Sequence, residues 1–234
     1  MQPETVRPRL HPVASLAPSP ASLPPAPPSL AGTHVRIRGL GSIGVSAAEA
    51  AVRSSVACLS LVDPDPRDAG AGTTPALARG TRARRAARLV SDLDPRVRVD
   101  LDTSRRVDGE VVVAYVAVEP WTVHELLLGG PHVAVLVDEA GAAVIPVDPG
   151  RTPCLRCLDV ARTECDPAWP TLAALHAATD PATDPLTAAL AGAMAAASLA
   201  RLMVRQPARA WRIEAGVPRR TRLSARPECG CGAA

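Results

Sequence analysis

Two close-set cysteine pairs lie far apart in the chain, Cys154-Leu-Arg-Cys157 and Cys229-Gly-Cys231. Cysteines grouped two and two are how a protein gathers four thiolates around one tetrahedral zinc ion, each at about 2.3 Å. Four thiolates close the coordination sphere and leave no position for a reacting water, so the expected role is structural. Two disulfides or four unrelated thiols are the competing readings of the same spacing. A zinc ion here would pin the segment around Cys229 to the segment around Cys154. Cys58, inside the apolar run Val56-Ala-Cys-Leu-Ser-Leu-Val62, reads as a small core residue. Cys165 has no neighbouring His or Cys and reads as incidental.

The second constellation is Gly39-Leu-Gly41-Ser-Ile-Gly44, with Asp63 about twenty residues further on. In a G-x-G-x-x-G turn the first glycine permits the tight bend and the second lets backbone approach a phosphate. The third lets helix pack close to strand, while the helix N-terminus favours an anion. Asp63 stands where an acid binds ribose hydroxyls. Asp63 suits an NAD ribose equally well, which keeps an NAD-dependent oxidoreductase with a structural zinc as an alternative. His124, His132 and His176 have no partner motif, however, and Tyr115 sits inside an apolar run.

Composition narrows the chemistry. The chain has 234 residues, 47% of them apolar, enough for one α/β domain with a real core. Every basic residue is Arg, and with no Lys there is no Schiff base, no lysine base and no P-loop lysine. Net charge is only +3, and aromatics amount to three Trp and one Tyr, which gives no case for nucleic acid. The start of the chain lacks the continuous apolar stretch of a signal peptide. Leu186 to Val204 is long enough to cross a bilayer but is mostly Ala and contains Arg201, so a buried core helix is expected rather than a membrane span. These features together predict a soluble cytoplasmic protein with reduced thiols.

The elements that must hold these groups follow from pattern. Residues 1–32, rich in Pro, Ala and Ser, read as an extended linker, and residues 33–234 as the folded domain. Val35-Arg-Ile-Arg38 reads as a strand, followed by the glycine turn, a helix to about Ser54 and a second strand over Val56–Val62. An Arg-rich helix is expected over Thr81–Leu93, stopped at Asp94-Pro95, and then strands over Val97–Leu101 and Val111–Val118. A short helix after Trp121 and strands over Val133–Val137 and Ala142–Val147 come next. Helices are expected over Thr171–Ala178 and Leu186–Val204, and late strands at Trp211–Glu214 and Thr221–Ser224. The whole describes a Rossmann-like α/β domain with a mostly parallel sheet, a four-cysteine zinc knuckle and C-terminal antiparallel strands.

The glycine turn with its acid, followed by Asp148-Pro-Gly-Arg-Thr-Pro-Cys-Leu-Arg-Cys157, resembles the ThiF/MoeB-type adenylyltransferases, relatives of ubiquitin-activating enzymes. The resemblance covers roughly residues 34 to 231. It looks nearest to an actinobacterial branch linked to maturation of ribosomally made azole, azoline or bacteriocin peptides. There Cys-Leu-Arg-Cys-Leu-Asp, then Asp166-Pro-Ala-Trp-Pro170, and a Pro-x-Cys-x-Cys-Gly terminus look characteristic. It implies a nucleotide site at Gly39, Gly41, Gly44 and Asp63, with Asp65 as the second acid of a D-x-D turn. It also implies zinc on Cys154, Cys157, Cys229 and Cys231, and an ATP–magnesium cofactor that activates a C-terminal carboxylate. A precursor peptide or a YcaO-type enzyme is the implied partner, in a homo- or heterodimer. A leader-peptide-binding domain is expected ahead of the ThiF-like domain, where this chain carries only the linker.

The catalytic remainder departs from that pattern. Ala69-Gly-Ala-Gly-Thr-Thr-Pro75 stands where the family has an Asn-Leu-x-Arg-Gln stretch. Arg82 stands nearest to the expected Lys, with Arg79 and Arg84 close by, and Val118-Glu119-Pro120 stands where an Asp-Asn pair would hold magnesium. The combined reading is a degenerate, peptide- or partner-binding component, with an active adenylyltransferase as the alternative. Trp169 is expected either to pack over the zinc knuckle or to anchor a partner.

Overall fold

The computed structural model describes residues 28–63, 81–101, 105–176 and 183–233. Asp65, Arg79 and the 69–75 stretch lie outside the described residues, as does most of the expected linker. Strands β1 (His34–Arg38), β2 (Cys58–Val62), β3 (Arg98–Asp100), β4 (Gly109–Tyr115), β5 (His132–Asp138), β6 (Gly141–Val147), β7 (Trp211–Glu214) and β8 (Val217–Arg220) form one sheet. Their order is β3-β2-β1-β4-β5-β6-β7-β8, parallel through β5 and antiparallel from β5 to β8. The described helices are α1 (Ser42–Arg53), α2 (Thr81–Leu93), α3 (Pro120–Gly129), α4 (Leu155–Cys165), α5 (Trp169–His176) and α6 (Pro185–Met203). This is the α/β architecture that the strand and helix periodicities predict.

The two faces of the sheet are built differently. One carries Val35, Ile37, Leu59, Val111 and Val133 against α1, α2 and α6. The other, over β4 to β6, packs Val112, Leu136 and Ile145 against α3 and α4. Beneath β1 to β3 that second face is polar. Strand register sets Asp100, Ser60, Arg36, Glu110 and His132 side by side across five adjacent strands. Buried Glu110 takes Arg36 Nη1 at 3.3 Å and Arg38 Nε at 2.9 Å, so its charge is matched where burial would otherwise expel it. A central parallel strand is usually apolar on both faces. Here β1 alternates because only one face meets helices of the core.

The long apolar helix is a core element. α6 is apolar and long enough to cross a membrane, yet Ala191, Ala195 and Leu199 are wholly buried in the main core. Asp184 caps it, accepting the Thr187 N–H at 2.9 Å, with Pro185 at the first helical position where its missing N–H does no harm. Small residues let α6 approach α1. A Cβ on Gly192 would stand 2.6 Å from the Ala47 backbone nitrogen and 2.6 Å from the Ser46 Cβ.

Three expectations need correction. The last strand is Val217–Arg220 and not Thr221–Ser224. It folds back on β7 through Ala215 and Gly216, whose φ of 46° and 74° make the tight two-residue turn that strand twist favours. The apolar run after residue 109 stops being a strand at Tyr115, because Val116 turns left-handed at φ 60°. The helix expected over Thr171–Ala178 begins earlier, at Trp169. Leu30 is wholly buried and its N–H bonds to the Ser54 carbonyl at 2.9 Å, so the chain is already part of the core before β1.

Gly192→Ala is expected to destabilise the domain by about 1–3 kcal/mol, because the added methyl meets backbone that can move only by separating two helices. Urea unfolding of the variant measures it, and an unchanged midpoint would contradict the close crossing. His132 supplies a second test. It is buried, its Nδ1 lies 2.9 Å from the Gly130 carbonyl, and burial holds its pKa below the ordinary histidine value. The unfolded chain therefore takes up the proton first as pH falls. The stabilisation is complete above about pH 6.5 and is lost below it. His132→Asn is expected to flatten that part of the stability–pH curve.

Candidate functional site

The four paired cysteines meet. Cys154 is the N-cap of α4 and Cys157 lies in its first turn, while Cys229 ends a short 3₁₀ turn at Pro227–Cys229 and Cys231 follows a left-handed Gly230. Their sulfurs all lie within 4.8 Å of one another, with Cys154 Sγ 3.4 Å from Cys229 Sγ and Cys157 Sγ 3.6 Å from Cys231 Sγ. Four thiolates at the zinc–sulfur distance of about 2.3 Å would be separated by about 3.8 Å along each edge of a tetrahedron. A disulfide needs about 2.05 Å, and all four cysteines are free thiols. The donor set therefore fits a metal ion better than two disulfides. Burial pushes the Cys154 and Cys229 thiols up, whereas the backbone N–H of Ala233 brings Cys231 down to about 7. A cation at the centre would draw off the remaining protons. Cys58 is a buried core residue, as expected, and also accepts a bond from Arg98 Nε at 3.3 Å. Cys165 is exposed at the end of α4.

The glycine turn joins β1 to α1. Gly39 has φ 88°, and a Cβ there would lie 2.6 Å from the Val113 carbonyl oxygen. A Cβ on Gly44 would lie 1.9 Å from the Gly39 carbonyl oxygen, which seats the start of α1 on the turn itself. Gly41 is the N-cap of α1 and offers no side chain, so the first helical N–H groups point outward without a capping oxygen. Asp63 directly follows β2 and is buried, with Arg82 Nε 3.7 Å from its carboxylate. Arg82 and Arg85 also line a cavity of about 540 Å³ together with Leu40, Gly41, Ser42 and Val45. The sequence-derived nucleotide residues Gly39, Gly41, Gly44, Asp63 and Arg82 are thus gathered at the C-terminal ends of β1 and β2. Arg84 is exposed on α2 and does not line that cavity.

No protein-family model matches the sequence, and no curated protein matches it. Solved structures do. E. coli MccB is similar with a TM-score of 0.61 at 15% identity, over 88% of this chain and 66% of that chain. The microcin C7 biosynthetic enzyme MccB in complex with N-formylated MccA gives 0.61 at 16% identity, over 87% and 68%. PaaA gives 0.53 at 12% identity, over 83% and 74%. The chain shares the fold of MccB over most of its length. It spans about two thirds of MccB's length.

The segment after β4 is where the sequence resemblance places magnesium-holding acids. Here Val116 occupies left-handed space that a β-branched residue rarely enters. Two bonds hold it there. Its N–H donates to the Val137 carbonyl at 2.7 Å, and its carbonyl accepts Arg162 Nη1 at 2.8 Å. Arg162 lies 4.4 Å from the centre of the Trp169 ring, whose Nε1 donates to Asp159 at 3.2 Å. Burial lowers the Arg162 pKa against the pull of Asp159 and raises that of Asp159, so each needs the other charge nearby. Trp169 therefore braces α4. Glu119 is exposed at the N-cap of α3. This brace was missed in the sequence, where Arg162 and Trp169 are split by the Asp166-Pro-Ala break between two helices.

Cys231→Ser, or chelation, is expected to lower the melting temperature by several degrees and to loosen the Pro227–Cys231 segment while α/β content persists. Thermal denaturation with metal analysis checks this. A metal-containing protein whose melting temperature ignores chelation would defeat the clamp.

Proposed function

We propose that this chain is a degenerate ThiF-like component of a peptide-maturation system, binding a precursor peptide or a partner enzyme without forming an acyl-adenylate. The observation that carries the reading is the Arg82–Asp63 ion pair. The acid that would take ribose hydroxyls and the cation nearest the phosphate position are held by each other. That pairing competes with a nucleotide for both groups. The Val116 carbonyl at the end of β4 is likewise held by Arg162. The MccB structures with MccA support a peptide as ligand. Zinc is the ion the four thiolates suit, in a structural role. We further propose a dimer, either of this chain or with a YcaO-type enzyme, and a cytoplasmic location.

A second reading is an active adenylyltransferase. MccB has been solved with ATP. Here Arg82 and Arg85 flank the uncapped start of α1, an arrangement able to receive phosphates. In that reaction a peptide carboxylate oxygen attacks the α-phosphorus of ATP, the α–β phosphoanhydride bond breaks, pyrophosphate leaves and a mixed acyl–phosphate anhydride, the acyl-adenylate, is formed. Pyrophosphate exchange separates the two readings. The expected result is no exchange above background with ATP, magnesium and the candidate precursor peptide, alongside peptide binding by fluorescence anisotropy. Peptide-dependent exchange that is abolished in Arg82→Ala would establish the active reading instead.

A further inference from the structure

Positive charge is concentrated at one end of the fold. Between Arg201 and Arg226 the chain carries eight Arg and one acidic residue, Glu214. That stretch is +7 in a chain of net +3, so the remainder is −4. Two of the eight are matched, Arg212 by Asp138 and Glu214 and Arg226 by Glu164. Arg201 and Arg205 lie at the C-terminal end of α6, where cations offset the helix dipole. Arg209, Arg219, Arg220 and Arg222 have no such role. All four are exposed and make no ion pair among the described residues.

The β7–β8 hairpin sets these four along one sheet edge, with Arg220 on the face that carries Trp211 and Arg219 on the opposite face beside Arg212. Trp211 pairs with Arg220 and Arg212 with Arg219, and the Thr221 N–H bonds to the Ala210 carbonyl at 3.0 Å, which carries Arg209 alongside Arg222. Like charges set across from one another cost stability. Guarding an open sheet edge requires only a proline and a charge, and Pro218 already removes an N–H from β8. Four unmatched guanidiniums exceed that need. Arginine forks match carboxylates in pairs. Nucleic acid fits less well, since the only aromatic on the hairpin, Trp211, packs against the core and the overall charge is small.

We infer that the β7–β8 hairpin is a docking surface for an acidic segment of a partner polypeptide, gripped by Arg209, Arg219, Arg220 and Arg222. None of the four lines the cavity at the glycine turn, so the inference stands whether or not a nucleotide is bound. The full chain is titrated against a fluorescein-labelled poly-glutamate peptide of about ten residues. Tight binding at about 50 mM salt that weakens toward about 300 mM is expected. Replacing all four by Gln should weaken it roughly tenfold or more while metal content and circular dichroism stay unchanged. Arg220→Gln with Arg222→Gln should give an intermediate loss. Gln at the remote exposed Arg53, Arg84 and Arg88 should change nothing. No binding by the native chain, or an equal loss in the remote variant, would overturn the inference. Tighter binding of an oligothymidylate of equal charge would replace the polypeptide with nucleic acid, and tighter binding to phosphatidylserine vesicles would replace it with a membrane surface.

Discussion

The start of helix α1 is wedged between a backbone turn and another helix with no room for a side chain on either side. Gly44 meets the Gly39 carbonyl and Gly192 on α6 meets the Ala47 backbone nitrogen. Those two contacts set both the direction of α1 and its depth against the sheet. Everything at the nucleotide-type site inherits its position from them. The uncapped N–H groups, the cavity wall formed by Leu40 and Val45, and the distance across to Arg82 on α2 all follow. An alanine-rich α6 is then a geometric necessity, since larger side chains at the crossing would lift α1 off its turn.

The cysteine cluster and the end of β4 belong to one mechanical chain. Cys154 and Cys157 fix the first turn of α4, and the same helix, two turns on, sends Arg162 to the Val116 carbonyl. Trp169 and Asp159 hold the guanidinium in place. Arg226 binds Glu164 near the other end of the helix. A strained backbone conformation persists only where its surroundings over-determine it, and this helix does so at Val116. The helix that carries Cys154 and Cys157 thus also positions the segment after β4.

Much of this arrangement was legible in the residues. The glycine spacing called for a strand before it and a helix after it, and the two cysteine pairs called for one meeting point. Both expectations rest on local constraints that few other folds satisfy. The misreadings came from interactions that a linear pattern does not carry. The last strand holds Pro218, a residue tolerated in a sheet only at an edge, where its missing N–H breaks no ladder. Val116 ended β4 in a conformation its side chain disfavours, so the apolar run held no sign of the break. The polar row from Asp100 to His132 depends on the register of five strands, which no single segment encodes. The pairing of Arg82 with Asp63 is likewise a property of the fold, since α2 and β2 meet only once the sheet has formed.

An ion on the four sulfurs has an effect that does not appear in the folded shape. Cys154 and Cys229 stand 75 residues apart, and the span between them contains α5, α6 and the whole β7–β8 hairpin. Joining such distant points removes conformations from the unfolded chain much as a disulfide does, worth about 4 kcal/mol for a loop of this length in the chain-entropy picture. The stabilisation falls on the disordered ensemble and is spread across everything the loop encloses. The arginine-bearing hairpin, which has little core of its own, lies inside that loop.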